Sequence, residues 1–322
     1  MAATKKLTRG ISKDFVDAFK KSELYELYQK HVDELIIGVR INYLNLYFNC
    51  DSIAKITYKK GLICCEIDKY YIDGKHYKNE DKEKRFKIDP TQLCNHYSDI
   101  KKNSEKKATL EKKAQSKLVH LNNQNNDTNW FCFDVEWKKA FENKQERGKA
   151  EFNARFDIMA ISKQNPYKVA IIELKYGSDA IGGKSGIYKH IEDFKKYQDK
   201  SYFNKQEIVN TIKSLEMLGV KIPEEIQNIH VDDIKGYEFY VITLNNNAEE
   251  VNGSTPKQTM SGYLFNDKRW NCKRVSIKTV ESNFGDVTDK NNSIHVKFLF
   301  SKQTLNDLKI DDILQFKNYE NE

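Results

Sequence analysis

At 322 residues, with 31% charged and 12% aromatic side chains, the chain has ample apolar material for a buried core, and its aromatic content excludes a wholly disordered polypeptide. A formal charge of +7 and an isoelectric point near 8.8 permit an anionic partner such as nucleic acid without requiring one. No apolar stretch approaches the twenty residues of a membrane span, and Met1-Ala-Ala-Thr-Lys-Lys lacks the apolar centre of a secretory signal, so the expectation is a cytoplasmic protein with no membrane partner.

From Ser12 to about Ile37, Phe15, Phe19, Leu24, Leu27, Tyr28, His31 and Leu35 recur at helical spacing, which predicts one amphipathic helix capped by Ser12. His31 on that stripe reads as a core or boundary histidine. After Gly38, the β-rich runs Asn42 to Phe48, Ile53 to Tyr58 and Leu62 to Tyr71 predict a meander. The lysine-rich stretch Ser98 to Asn122 predicts a basic helix with a narrow apolar edge of Leu110, Ala114, Leu118 and Leu121. Cys50, Cys64, Cys65, Cys94, Cys132 and Cys272 form no CxxC pair and lie mostly in apolar runs, the pattern of reduced buried thiols rather than of a zinc site.

Three strands are then expected: Trp130 to Trp137, Ala154 to Ile161 and Val169 to Tyr176. Polar turns at Asn143 to Gly148 and Lys163 to Tyr167 join them. The first alternates Phe131, Phe133, Val135 and Trp137 against a polar face of Cys132, Asp134 and Glu136. Beyond a glycine loop, helices are predicted near Ile187 to Tyr197 and Lys205 to Leu218, then a strand at Tyr237 to Leu244. Further strands are expected at Gly262 to Phe265, Arg274 to Val280 and Ser293 to Phe300, and a closing helix from Thr304 to Phe316, with Asp307 in capping-box position.

Residues two apart on a strand share a face, so Val169, Ile171, Glu173 and Lys175 line up, and Asp157 shares a face with Met159 and Ile161. Charges ending an apolar face need compensation, and a bound cation with a neighbouring lysine supplies it. Two carboxylates from adjacent strands can hold a hard cation such as Mg²⁺, and a lysine beside them can orient water or offset developing charge. The bland alternative is a solvent-facing alternation with a cross-strand ion pair.

Asp157 in one strand, followed by Glu173, any residue and Lys175 in the next, resembles the PD-(D/E)XK, or restriction-endonuclease-like, nuclease superfamily. Its core order of helix, three-strand meander, helix and strand matches about Ser98 to Leu244, roughly half the chain. Phe156 stands where the motif's name has proline. The resemblance implies an α/β fold with a nuclease core over 98–250, an N-terminal α+β extension over 1–97 and a β-rich extension over 251–322. It further implies Mg²⁺ or Mn²⁺ held by Asp157, Glu173 and the carbonyl of Leu174, with Lys175 serving the nucleophilic water. Glu136 is the candidate for a further acidic ligand, with Glu105 and Glu111 as substitutes. The implied activity is metal-dependent hydrolysis of phosphodiester bonds, in DNA rather than RNA, with a homodimer or an activating partner as candidate assemblies.

The loop Gly177-Ser-Asp-Ala-Ile-Gly-Gly-Lys-Ser185 ends like a phosphate-binding P-loop, but five residues stand between Gly177 and Gly183 where that motif has four. Lys184 remains a candidate phosphate contact at a helix N-terminus. His190 lies on the apolar face of the following helix, either as a core histidine or touching Glu173 or substrate. A catalytically silent nucleic-acid-binding module, a nucleotide-binding enzyme and an interaction subunit stay open as alternatives.

Overall fold

The computed structural model describes residues 8–78, 84–139, 141, 152–177, 186–245, 269–276 and 282–314. In chain order its elements begin with α1 (Lys13–Lys20), α2 (Glu23–Lys30), β1 (Leu35–Val39), β2 (Tyr43–Phe48), β3 (Asp51–Lys59), β4 (Leu62–Asp68), α3 (Tyr70–Asp73), β5 (Arg85–Ile88), α4 (Pro90–Asn95), α5 (Tyr97–Lys107) and α6 (Leu110–Gln124). They continue with β6 (Trp130–Lys138), β7 (Arg155–Ser162), β8 (Tyr167–Tyr176), α7 (Ile187–Asp199), α8 (Lys205–Met217), α9 (Glu224–Gln227), β9 (Ile234–Leu244), β10 (Trp270–Ser276), β11 (Ser282–Asp289) and β12 (His295–Ser301). The protein is therefore of mixed α/β class, and among the described residues no helix is long and apolar enough to cross a membrane.

Two compact units divide the chain, and they do not follow chain order. Met1–Ser116, Phe133–Val135 and Asn204–Val231 form the first; Lys117–Cys132, Glu136–Phe203 and Asp232–Glu322 form the second.

The first unit is built on the antiparallel sheet β1-β2-β3-β4-β5. Its inner face buries Leu35, Ile37, Leu44, Leu46, Ile53 and Ile56, with Phe15, Phe19, Leu24 and Tyr28 of the N-terminal helices also in the core. Ser12 caps α1 by accepting the N–H of Phe15 at 3.2 Å. The expected single helix is in fact two, because Ser22 turns its hydroxyl onto the Phe19 carbonyl at 2.6 Å and a new helix starts at Glu23. Its expected end is also corrected: Leu35-Ile-Ile-Gly-Val, rich in β-branched residues, is strand β1. His31 sits at the boundary, 2.8 Å from Glu34 and against the Tyr97 ring. The expected basic helix likewise breaks, between α5 and α6 at extended Ala108. Its lysines are engaged: Lys101 pairs with Glu34, Lys112 with Asp51 and Lys113 with Glu105.

At the centre of this unit Asp134, with no exposed side-chain surface, receives Arg40 at 2.6 Å and Arg9 at 3.3 Å. The expected polar face of the Trp130 strand is thus buried, because its acids meet cationic partners far away in sequence. Burial, then the nearby Arg40 charge, pulls Arg9 down to about 10, so it stays charged at neutral pH, with the buried Glu207 of α8 adding a second negative charge. For Arg40 burial opposes the charge, but Asp134 and Tyr47 outweigh it and raise its pKa. Gly38 makes room for this cluster, since a Cβ there would lie 2.7 Å from the Tyr47 ring and 2.9 Å from the Arg40 guanidinium. Gly219, which ends α8, has φ +83° and would bring a Cβ to 2.6 Å from the Tyr25 hydroxyl, so only glycine fits.

The second unit carries the sheet β10-β11-β12-β9-β8-β7-β6. β7 runs antiparallel to β8, β8 parallel to β9, and β9 parallel to β12. From Val169 to Leu174 every residue of β8 is buried, as expected of a central strand covered on both faces. α7 covers one face with Ile187, Ile191, Phe194 and Tyr197, and Phe194 stacks on Phe239 of β9 with centroids 4.5 Å apart. Across three strands, Lys168 and Lys297 flank Glu238; burial opposes its charge, but Lys168, Tyr240 and Lys297 hold the carboxyl down to about 2.

The closing helix expected from Thr304 does not form within the described residues 302–314. Asp307 does accept the Thr304 N–H. Beyond it, however, backbone groups are taken by side chains: Gln303 Oε1 accepts the Lys309 N–H, and Asn122 Oδ1 accepts the Ile313 N–H. Such bonds replace the helical ladder while Leu308, Ile310, Ile313 and Leu314 are buried. Expected features at 143–148 and 262–265 lie outside the described residues, as does most of the glycine loop.

Replacing Asp134 by alanine would strand two buried guanidiniums beside one remaining carboxylate. Urea unfolding of Asp134→Ala is expected to show a loss of about 3–5 kcal/mol.

Candidate metal and catalytic site

The β7–β8 ladder runs from Ile161↔Val169 to Ile158↔Ile172 and then stops. One residue further, the Asp157 carboxylate takes over the role of a backbone acceptor: its Oδ2 accepts the N–H of Leu174 at 2.8 Å. The strands therefore part at Asp157 on one side and Glu173 on the other. Asp157 remains half-buried, with one carboxylate edge turned onto β8.

On β8, Glu173 is 1% exposed and Lys175 5% exposed. They follow Val169 and Ile171 on one face by the two-residue period of a strand, and both faces of β8 are covered at Glu173. A solvent-facing alternation is ruled out for this pair. Burying an ionised carboxylate and an ammonium is expensive unless each meets polar or charged groups. Glu173 meets His190 of α7, whose Nδ1 stands 3.1 Å from its Oε2. His190 is placed by the stacked Phe194 four residues on, one helical turn away on the same face.

Glu136 is buried at the end of β6, where its Oε2 accepts from Arg155 Nη1 at 2.7 Å. Its backbone has φ +55°, a left-handed conformation that costs a non-glycine residue roughly 1–2 kcal/mol and here is sustained inside a strand. Sequence reasoning did not single out Arg155, although it lies two residues before Asp157 on the same strand; a cation so close to the motif was the available signal. The substitute acid Glu105 is engaged by Asn49 and Lys113, which outweigh its partial burial and lower its pKa. Glu111 belongs to the first turn of α6.

The structure thus gathers Asp157, Leu174, Glu173, Lys175 and His190 around the parting of two strands, and sets Glu136 against Arg155. Lys184 lies outside the described residues. The contact seen at Leu174 is made by its N–H, while the role expected of it fell to its carbonyl.

Among the described residues no three of His, Cys, Asp and Glu stand close enough to hold a metal by themselves. The donor set fits a hard cation of a particular kind. Mg²⁺ is commonly held by one or two carboxylates, filling the rest of its shell with water and phosphate oxygens. Two carboxylates where the strands part meet that need without a third acid.

Asp157 also has a structural task, separable from its charge. Asp157→Ala leaves the Leu174 N–H without its acceptor and should cost about 1–3 kcal/mol. Asp157→Asn retains a carbonyl acceptor and should recover most of the loss, as read by urea unfolding of both variants. No protein-family model matches the chain, and neither does any curated protein.

Proposed function

We propose that the protein is a metal-dependent nuclease of the restriction-endonuclease-like type, hydrolysing phosphodiester bonds with DNA as its substrate class. The observation that carries this reading is the burial of Glu173 and Lys175, one strand position apart on one face, beside the point where Asp157 leaves the ladder. Element order supports it: α6, then the adjacent strands β6, β7 and β8, then α7, then β9 parallel to β8, is the order of that core.

Asp157, Glu173 and the carbonyl of Leu174 would hold Mg²⁺ or Mn²⁺. When bound, the ion polarises the phosphodiester and lowers the pKa of a water. Lys175, fixed next to Glu173 by the strand, orients the attacking water and offsets negative charge as it grows on the phosphate oxygens. The water oxygen bonds to phosphorus as the bond to the leaving ester oxygen breaks; the attacking water gives one proton to bulk solvent, and the leaving oxygen takes one from solvent and departs as a hydroxyl. His190, 3.1 Å from the Glu173 carboxylate, gives it a polar neighbour on the α7 side. Arg155 donates to Oε2 of Glu136, the candidate for a further acidic ligand.

The test is cleavage of plasmid, linear duplex, single-stranded DNA and RNA with Mg²⁺, Mn²⁺ or EDTA, using wild type, Asp157→Asn and Lys175→Met. EDTA is expected to abolish cleavage, and each variant to lose about a hundredfold or more while remaining folded. Cleavage that survives both substitutions would place the chemistry elsewhere. DNA binding with no cleavage by wild type in any metal would replace the nuclease by a binding module.

A further inference from the structure

β9 contributes Phe239-Tyr-Val-Ile-Thr-Leu to the centre of the second sheet, and one residue breaks the apolar series. Thr243 is fully buried, and its hydroxyl oxygen has no hydrogen-bond partner among the described residues. A buried hydroxyl is ordinarily satisfied, and valine has nearly its shape without the oxygen, so the position carries a cost that packing does not require. The parallel register sets Thr243 beside Lys175, as it sets Val241 beside Glu173. Paired residues of neighbouring strands point to the same side of a sheet, so the hydroxyl and the ammonium share a face. On its other side Thr243 is paired with Phe300, which offers no acceptor or donor on its side chain. Lys175 is the polar residue of the two paired with it in the sheet, and an ammonium carries three N–H donors.

We propose that Thr243 is a positioning residue for Lys175: its hydroxyl accepts an N–H of the ammonium when substrate fills the site, and so aims the charge at the reacting phosphate. This rests on the nuclease reading above. A hydroxyl left open in the resting protein and satisfied only with substrate in place is a means of spending an interaction on the reaction rather than on stability. It also explains threonine on this strand, since its β-branch packs like valine and the two differ only by a hydroxyl in place of one methyl.

Five proteins decide the matter: wild type, Thr243→Val, Thr243→Ser, Lys175→Met and the Thr243→Val/Lys175→Met double variant, which tests coupling. Thr243→Val is expected to lower kcat for metal-dependent cleavage by about 10- to 100-fold with KM little changed, the effect of losing a hydrogen bond to a charged group. Its melting temperature should equal or exceed that of wild type, because a buried hydroxyl without a partner is replaced by a methyl group. Thr243→Ser should retain activity close to wild type. In the Lys175→Met background the valine substitution should have no further effect. Wild-type kcat in a folded Thr243→Val, or an equal loss in the Lys175→Met background, overturns the proposal and leaves the nuclease reading standing. A wild type that cleaves nothing, with any metal, removes the nuclease reading and this role with it.

Discussion

A strand without a wet side cannot carry charge idly. β8 is covered on both faces from Val169 to Leu174, and within that run it holds Glu173, followed by the buried Lys175. The surroundings of these two charges are as unusual as the charges themselves. α7 brings His190 to the carboxylate, β9 lays Thr243 beside the lysine, and β7 ends its ladder so that Asp157 stands at the edge of the same place. Each of those is a departure from an ordinary apolar core, and all fall within one or two residues of the same strand positions.

The Leu174 N–H shows how closely structure and chemistry are bound there. In an unbroken sheet it would meet a backbone carbonyl of β7; it meets the Asp157 side chain instead. One carboxylate oxygen thereby fixes the aspartate to β8, so its geometry relative to Glu173 is set by the sheet rather than by a loop. Preorganisation of this kind, with ligands on strands, is the condition under which two carboxylates can share a hard cation without rearranging first.

Much of this was legible in the residues. The meander from Trp130 to Tyr176, the helix bearing His190 and the strand at Tyr237 to Leu244 follow from alternation and helical spacing, and the contact of His190 with Glu173 was among the sequence's own alternatives. What could not be read was which charges are paired. Asp134 looked like the polar half of an amphipathic strand, yet it lies against Arg40 and Arg9, whose distance in sequence leaves no local trace. Glu136 reads from the sequence as a candidate further ligand, and the sequence gives no sign that Arg155 pairs with it. Thr243 passed as a strand-forming residue because its side chain suits a strand whatever its oxygen does. The break in the N-terminal helix and the lack of a closing helix among the described residues 302–314 have the same origin: side chains such as Ser22, Gln303 and Asn122 take backbone groups that periodicity assigns to a helix.

The central claim is that Asp157 and Glu173 share a divalent cation, and anomalous diffraction from crystals grown with Mn²⁺ tests it most directly. A single manganese peak between the Asp157 and Glu173 carboxylates, absent from Asp157→Asn crystals grown the same way, is the predicted result. Manganese bound only elsewhere, or the same peak undiminished in Asp157→Asn, would contradict the account.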